Sequence, residues 1–461
     1  MINRTLKQIA SMLKVEDDLG HFSDLLVQGV CIDSRKIQKG NLFIPLKGEH
    51  MDGHRFVEAS IQQGAAAALW QRDVPNPPVN LPIILVDHTE MALQELARRY
   101  RDELKVKVVG ITGSNGKTTT KDMTASLLSL KYKVQKTEGN YNNHIGLPLT
   151  ILSLDEDTEI AVLEMGMSAK GEIEFLSKLS RPNLVIITNI GESHLLDLGS
   201  REGIADAKTE IIAGLQDQGL IIYNGDEPLL NDRLQKYAQK WSLHTFGQNN
   251  HNTIYPTQIK QNNDGSIFSI NQHNGTFLLP VLGNHNILNA LAAMLTAHFL
   301  QIPYDEMNEG LKGLKLTNMR MEIVEGEKGE RIINDAYNAS PTSMRAAMEL
   351  VANLNGFPNK ILVLGDMLEL GLNEEQFHLE IGQSLNSEKI NYVFTYGKLG
   401  QFIAEGAKTT LPQDKVFHFT DKKELTEKVK EYSNNETLIL VKASRGMRLE
   451  EVVHSLMKKD K

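Results

Sequence analysis

From about residue 106 the chain alternates between continuously apolar runs and stretches whose apolar residues recur at helical spacing. VKVVGIT is followed by TTKDMTASLLSL, EIAVLEM by GEIEFLSKLS, and LVIITNI by REGIADAKTEIIAGL, with LIIYNGD next in line. A short run that is apolar throughout suits a strand covered on both faces, and the intervening periodic segments suit helices lying on it, so the pattern predicts a parallel sheet flanked by helices. A polar interval near 248–276, QNNHNTIYPTQIKQNNDGSIFSINQHNG, reads as hairpins or an insertion at the sheet edge, after which the helix NHNILNALAAMLTAHFL closes the unit. After Leu314 the alternation restarts with RIINDAY, KILVLGD, NYVFTYG and TLILVKA, which predicts a second α/β unit of ordinary domain size. Before residue 106, short strand-like runs (GNLFIPL, LPIILVD) mix with helical text such as FVEASIQQGAAAALW, and the charged stretch RRYRDELK ends the region. The expectation is an α/β protein of three domains, 1–104, 105–315 and 316–461, the first of mixed α/β type and the second with a mainly parallel sheet.

Composition narrows the classes. A chain of 461 residues with 41% hydrophobic content exceeds one core and can fill several. A formal net charge of -9 argues against nucleic-acid binding, which needs a basic surface. Cys31 is the single cysteine, so an intrachain disulfide and a cysteine-based zinc site are excluded, and a reducing cytoplasm is the natural compartment. The opening MINRTLKQIASMLK lacks the apolar core of a signal peptide, and no apolar run approaches the ~20 residues that span a bilayer, so membrane insertion is not expected.

The candidate chemistry sits where predicted strands end. In GITGSNGKTTT a strand enters a turn bearing Gly113 and Gly116, and a helix starts near Lys117. The usual phosphate loop places its first glycine five residues before the second, where this chain has Ile111, yet the physical parts are present. Glycines let backbone N–H groups converge, a helix N-terminus adds partial positive charge, Lys117 can reach terminal phosphates and Thr118 can ligate Mg²⁺. A plain glycine-rich turn capped by threonine is the bland alternative. Glu164 ends EIAVLEM at the sheet edge where ligands of α/β proteins bind, and can hold a metal ion or serve as an ordinary strand-end polar residue. LVIITNIGESH brings Asn189 and His194 to the same edge, while Lys208 in REGIADAKTEI reads by itself as a solvated lysine.

TEGNYNNHIGLP (137–148) is a turn cluster whose Asn140, Asn142 and Asn143 also suit a polar, amide-bearing substrate. In GNHNILNA, Asn284 is a candidate helix cap, and Asn286 and Asn289 share a face from which they could read a base. Asp335, Asp366 and the pair Lys442 and Arg445 follow three strands of the last unit. Each acid could be a helix cap, but charge at three strand ends favours a binding edge.

In chain order these segments resemble the Mur ligases, ATP-dependent amide-bond-forming enzymes of peptidoglycan precursor synthesis. Their loop, Gly-x-Thr-Gly-x-x-Gly-Lys-Thr-Thr, is matched by GITGSNGKTT at every fixed position. The resemblance covers essentially the whole chain and implies a substrate domain, an ATPase domain and a C-terminal Rossmann-like domain. TEGNYNNHIGLP, DAYNASPTSM, LGDMLELG and KASRGM are most similar to the member that adds D-alanyl-D-alanine to UDP-N-acetylmuramoyl-tripeptide. The member that adds the third amino acid would carry a Tyr-Ala-His-Thr-Pro type segment where this chain has YNASP. DSRKIQKGNLFIPLKGEHMDGH resembles a uridine-binding segment, which makes Ser34, Arg35 and Lys47 substrate candidates, the first two near uracil and diphosphate.

The resemblance further implies that Gly113, Ser114, Asn115, Gly116, Lys117, Thr118 and Thr119 cradle ATP, with Lys117 on the γ-phosphate. Thr118 and Glu164 would ligate one magnesium, His194 a second, and Lys208 would act as a carbamylated lysine whose carboxylate-like group replaces a useless ammonium. Asn286 would approach adenine, and Arg320 and Asp335 would complete the nucleotide site on closure of the last domain. Thr137, Asn140, Asn142, Asn143, Asn338 and Ser340 would contact the substrates. A cytoplasmic monomer acting on small molecules is expected. The rivals are a single-amino-acid or folate ligase of the same architecture, and a nucleotide-binding regulatory protein without catalysis.

Overall fold

A computed structural model of the chain describes residues 1–16, 19–48 and 51–458. Glu49 and His50, within the segment resembling a uridine-binding one, lie outside the described residues. Three α/β units follow one another, as the alternating pattern predicts.

The first is built on four parallel strands in the order Val30–Cys31, Leu42–Phe43, Ala67–Gln71, Ile83–Val86. Its long helix, Thr89–Glu103, buries Leu93, Leu96, Ala97 and Tyr100, a stripe at i, i+3, i+4 and i+7. That stripe shares one continuous apolar core with Leu147, Ile151, Leu163 and Ile173 of the next unit. The first two units are thus sealed against each other.

Tyr100 completes this seal: its fully buried hydroxyl donates to the Leu154 carbonyl at 2.8 Å. Burial pushes its pKa up to about 12, so it stays a donor at any working pH. Tyr100→Phe leaves that carbonyl without this partner and is expected to cost ~1–3 kcal/mol, read as a lower denaturant midpoint with turnover intact.

The central sheet runs Ser242–Phe246, Leu220–Asn224, Leu184–Ile187, Lys107–Thr112, Ile160–Glu164, Val134–Lys136, with all pairings parallel. Lys107–Thr112 comes first in sequence yet lies inside the sheet, between Leu184–Ile187 and Ile160–Glu164. Strand order reverses there, and at such a switch point the helices diverge and leave a crevice at the carboxyl edge. The helices Lys117–Leu128 and Asn284–Phe299 pack together over this sheet. The polar interval forms a three-stranded antiparallel sheet, Pro256–Asn262, Gly265–Ile270, His273–Leu279, anchored by Phe268 and Phe277.

The last sheet runs Glu322–Glu325, Arg331–Asp335, Thr437–Lys442, Asn359–Gly365, Tyr392–Tyr396, Val416–Phe419, parallel except for its first strand. Glu322–Glu325 and Val416–Phe419 are absent from the pattern reading. Both are edge strands of four residues with only part of their surface covered, and their apolar residues are too few or interrupted by a polar one to stand out as a run. Among the described residues no helix is long and apolar enough to cross a membrane.

Candidate functional site: a phosphate loop between two sheets

The loop after Lys107–Thr112 is shaped by two glycines that nothing else can replace. Gly113 has φ 148°, and a Cβ there would stand 1.8 Å from Thr188 Oγ1; Gly116 has φ 80°, and its Cβ would stand 2.4 Å from Asn289 Oδ1. Asn189 moulds the turn between them. Its carbonyl accepts from Ser114 N (3.0 Å), its Oδ1 from Asn115 N (2.9 Å), and its Nδ2 donates to the Asn115 carbonyl (3.0 Å). Helix Lys117–Leu128 then begins, and its first N–H groups have no intrahelical acceptors, which makes that end a seat for anions. Lys117 folds back over the loop, its Nζ donating to the Gly113 carbonyl at 2.8 Å.

Glu164 ends the neighbouring strand and is 2% exposed. Its Oε2 accepts from Thr118 Oγ1 and its Oε1 from Asn142 Nδ2, both at 2.8 Å, while its backbone N–H donates to Thr137 Oγ1 at 3.0 Å. One carboxylate therefore ties the phosphate-loop helix to the asparagine-rich segment.

A cleft of about 400 Å³ opens here between the central and last sheets. Loop residues Ser114 to Thr119 line it, and so do Asn140, Asn142 and Asn143, with Glu164, His194 and Lys208. Asn286, from helix Asn284–Phe299 of the central unit, lines it too, as do Arg320, Asp335 and Asn338 from the residues that follow. Residues far apart in sequence thus meet, through the carboxyl edges of two sheets. The last unit also touches the loop directly: Asn115 Nδ2 donates to Ser340 Oγ (3.3 Å), and Thr342 Oγ1 donates to Glu192 Oε2 (2.8 Å).

Several candidates stand elsewhere. Gly113 and Thr137 lie behind the lining, the first forming the turn and the second supporting Glu164. Ser34, Arg35 and Lys47 follow strands of the first unit, outside this cleft; the Arg35 guanidinium is exposed and pairs with Asp33 at 2.8 Å, and Lys47 pairs with Asp73 at 2.9 Å. The expectation of three charged strand ends facing a ligand is corrected. Asp335 and Lys442 reach the cleft and pair with each other, but Asp366 turns to accept from Gly400 N at 2.7 Å, at the start of another helix. Asn284 does not cap its helix: Gly283, at φ 99°, holds that position and the Asn284 amide oxygen accepts from Gln261. Asn286 and Asn289 do share a face, with Asn289 Nδ2 donating to Asn286 Oδ1 at 3.0 Å.

Tyr337 and His285 join the lining without having been anticipated. The Arg320 guanidinium lies 4.1 Å from the centre of the Tyr337 ring, and its Nε is buried without a hydrogen-bond partner among the described residues. Burial lowers the pKa of His285, favouring neutral imidazole. The position of Tyr337 two residues after Asp335 was the available signal; for His285 only adjacency to Asn286 pointed there.

The two buried amines differ. Burial lowers the pKa of Lys117, partly offset by Glu164. Lys208, 2% exposed, is driven well below the usual lysine value by burial and by the charge of Lys117. Its ammonium has no hydrogen-bond or ion-pair partner among the described residues, so the view of it as a solvated lysine is overturned. His194 sits in left-handed backbone (φ 65°) with Nδ1 2.9 Å from Glu369 Oε2 of the last unit. No group of three or more His, Cys, Asp and Glu side chains suited to a metal ion converges among the described residues.

Three family models match consecutive parts of the chain: the Mur ligase family, catalytic domain at residues 26–101, the Mur ligase middle domain at 111–297, and the Mur ligase, glutamate ligase domain at 319–445. The UDP-N-acetylmuramoyl-tripeptide--D-alanyl-D-alanine ligase of Bacillus subtilis is 53% identical over 457 residues, covering 99% of each chain. The crystal structure of MurF from Acinetobacter baumannii superposes with a TM-score of 0.88 at 29% identity, covering 100% of both chains. The MurF ligase of Thermotoga maritima, solved in complex with ADP, gives a TM-score of 0.80 at 29% identity over 93% of this chain and 96% of that one. With its phosphate loop, its three α/β units and its relatives aligned from end to end, the chain belongs to the Mur ligase family.

Proposed function

We propose that this chain joins D-alanyl-D-alanine to UDP-N-acetylmuramoyl-tripeptide at the expense of ATP, giving the pentapeptide precursor of peptidoglycan, ADP and phosphate. The observation that carries the reading is Glu164, whose two oxygens are divided between Thr118 on the phosphate-loop helix and Asn142 on the 137–148 segment. Nucleotide-side and substrate-side groups meet on that acid.

A carboxylate is a poor acyl donor, so the tripeptide's terminal carboxylate first takes the γ-phosphoryl group of ATP and becomes an acyl phosphate. The dipeptide amine then attacks its carbonyl carbon, loses a proton, and phosphate leaves from the tetrahedral intermediate. Lys117 and Arg320 are assigned to the charge that spreads over the transferring phosphoryl oxygens, a task of placement and neutralisation that needs no protein nucleophile. Asn286 and Asp335 are assigned to the nucleoside, and Asn140, Asn143 and Asn338 to the peptide substrates. Ser34, Arg35 and Lys47 are assigned to the UDP end, which divides the work among residues 1–104, 105–315 and 316–461.

The donor chemistry fits magnesium in part as the residues stand. Thr118 and Glu164 offer hard oxygens and His194 an imidazole, but an ammonium at Lys208 offers nothing to a cation. The neutral, buried amine that its surroundings favour can add CO₂, and the resulting carbamate would supply the missing oxygens. Bound there, magnesium would neutralise phosphate charge. Ser340 and Thr342, against Asn115 and Glu192, hold the last unit over the cleft, where water would otherwise hydrolyse the acyl phosphate. The reading places the enzyme in the cytoplasm as a monomer.

The test is magnesium-dependent phosphate release from ATP with UDP-N-acetylmuramoyl-tripeptide, offering D-alanyl-D-alanine or single amino acids. Release with the dipeptide alone is expected; release with single amino acids, or no release with any amine, would overturn the assignment.

A further inference from the structure

One turn beyond Thr118, the phosphate-loop helix carries two adjacent charged residues that are each 1% exposed, Lys121 and Asp122. Lys121 Nζ donates to the Thr137 carbonyl at 2.8 Å. Asp122 Oδ1 accepts from Lys136 Nζ at 2.6 Å and stands 3.3 Å from Lys121 Nζ, while its Oδ2 accepts from both the N–H (2.8 Å) and the Oγ1 (2.9 Å) of Thr317. A carboxylate so fully removed from water persists only when its lone pairs are filled, and here they are.

Thr317 belongs to no helix or strand. It lies in the passage between helix Met307–Lys312, the last of the central unit, and strand Glu322–Glu325, the first of the next. Around it the passage is open: Lys315 and Asn318 are exposed. Further along the same passage, Arg320 enters the cleft above Tyr337. A chain that must swing a whole domain has to pivot somewhere, and a few loop residues at element ends normally absorb the change.

We propose that Asp122 is a positioning residue that pins the hinge to the nucleotide helix: by fixing Thr317, it ties the pivot of the C-terminal unit to the element that bears Lys117 and Thr118. The same neighbouring pair of charges holds Thr137, so the phosphate loop, the asparagine-rich segment and the hinge are referenced to one turn of helix. The placement of Arg320 relative to the nucleotide then depends on a contact more than a turn along the helix from Lys117, with no atom of Asp122 reaching the cleft. This inference rests on the ATP-dependent ligase reading.

The experiment compares Thr317→Val, Thr317→Ser, Asp122→Asn and the double variant Asp122→Asn/Thr317→Val with the parent. In the ligation assay, Thr317→Val is expected to lower kcat about five-fold and raise the KM for ATP, and Asp122→Asn to lower kcat about ten-fold. The KM for the UDP-linked substrate stays within about two-fold, and Thr317→Ser, which restores the hydroxyl, recovers kcat. The double variant is expected to be no worse than Asp122→Asn, because both changes cut one contact. Tryptic cleavage after the exposed Lys315, followed without substrates, is expected to speed up in Thr317→Val and return to the parent rate in Thr317→Ser. Multiplying effects, an unimproved Thr317→Ser, or a lowered melting temperature with kcat and cleavage unchanged would overturn the proposal. If Asp122→Asn does not fold, the valine and serine variants decide it. A parent enzyme without turnover would count against the ligase reading alone, since the proteolysis still judges the tether.

Discussion

Lys208→Met is expected to lower ligation by on the order of 10³-fold while leaving the fold at least as stable as the parent. The two halves of this result have one cause. The Lys208 amine is buried, its charged form is disfavoured by burial and by Lys117, and it has no partner among the described residues. Such a group contributes little to stability and usually opposes it, whereas methionine fills the same volume without a polar atom. The sign follows: a lysine whose folded pKa is depressed makes folding less favourable as pH falls below its unfolded value, and the variant loses that penalty. A phosphate-release assay paired with thermal unfolding at about pH 7 and pH 9, both below the usual lysine pKa, checks both halves. Near-parent turnover would remove Lys208 from the site, and a melting temperature several degrees lower would show that its amine supports the fold.

Lys117→Met is expected to lower kcat by roughly 10²–10⁴-fold, with the affinity for the UDP-linked substrate unchanged within about two-fold. Here the ammonium is partnered, donating to the carbonyls of Gly113 and Ser114. It must exchange those carbonyls for phosphate oxygens when nucleotide enters, and a thioether side chain has no proton to offer either set. Calorimetric titration of the nucleotide sugar peptide, beside steady-state rates, separates the two effects. Lys117→Arg is not expected to rescue the rate, because a planar guanidinium does not reproduce the compact point charge that Lys117 holds against the Gly113 and Ser114 carbonyls. A variant that kept its rate but lost the UDP-linked substrate would place Lys117 on the other ligand.

Much of this was legible because buried parallel strands advertise themselves. Lys107–Thr112, Ile160–Glu164 and Leu184–Ile187 are covered on both faces, and each is an apolar run that leads to a polar residue at the sheet's carboxyl edge. Reading the strand ends therefore pointed to Glu164 and Asp335, and the strand, glycine turn and helix start in succession pointed to Lys117 and Thr118. What escaped depends on partners far away in sequence. Asp366 has the same local text as Asp335, a run of apolar residues followed by an acid, and only the position of Gly400 turns it from the cleft. Asn284 opens the helical text as a cap would, but it is already the first helical residue, and Gly283 at φ 99° holds the capping place. Lys208 was unreadable alone, since an amphipathic helix gives no sign of which lysine the tertiary fold will bury. The contacts that Ser340 makes with Asn115 and Thr342 with Glu192 join residues 225 and 150 positions apart, beyond any local pattern.

The shared core of the first two units sets how the chain can be divided. Leu93, Leu96, Ala97 and Tyr100 lose much of their apolar surroundings once Leu147, Ile151 and Leu163 are taken away. Cutting at the first boundary would leave two pieces each exposing an aliphatic face, and both would tend to aggregate. The C-terminal sheet instead carries its own apolar layer on each side, almost entirely from its own residues. For dissection, selection of soluble fragments or exchange between related ligases, the natural unit is the first two domains taken together, with the third as an interchangeable part.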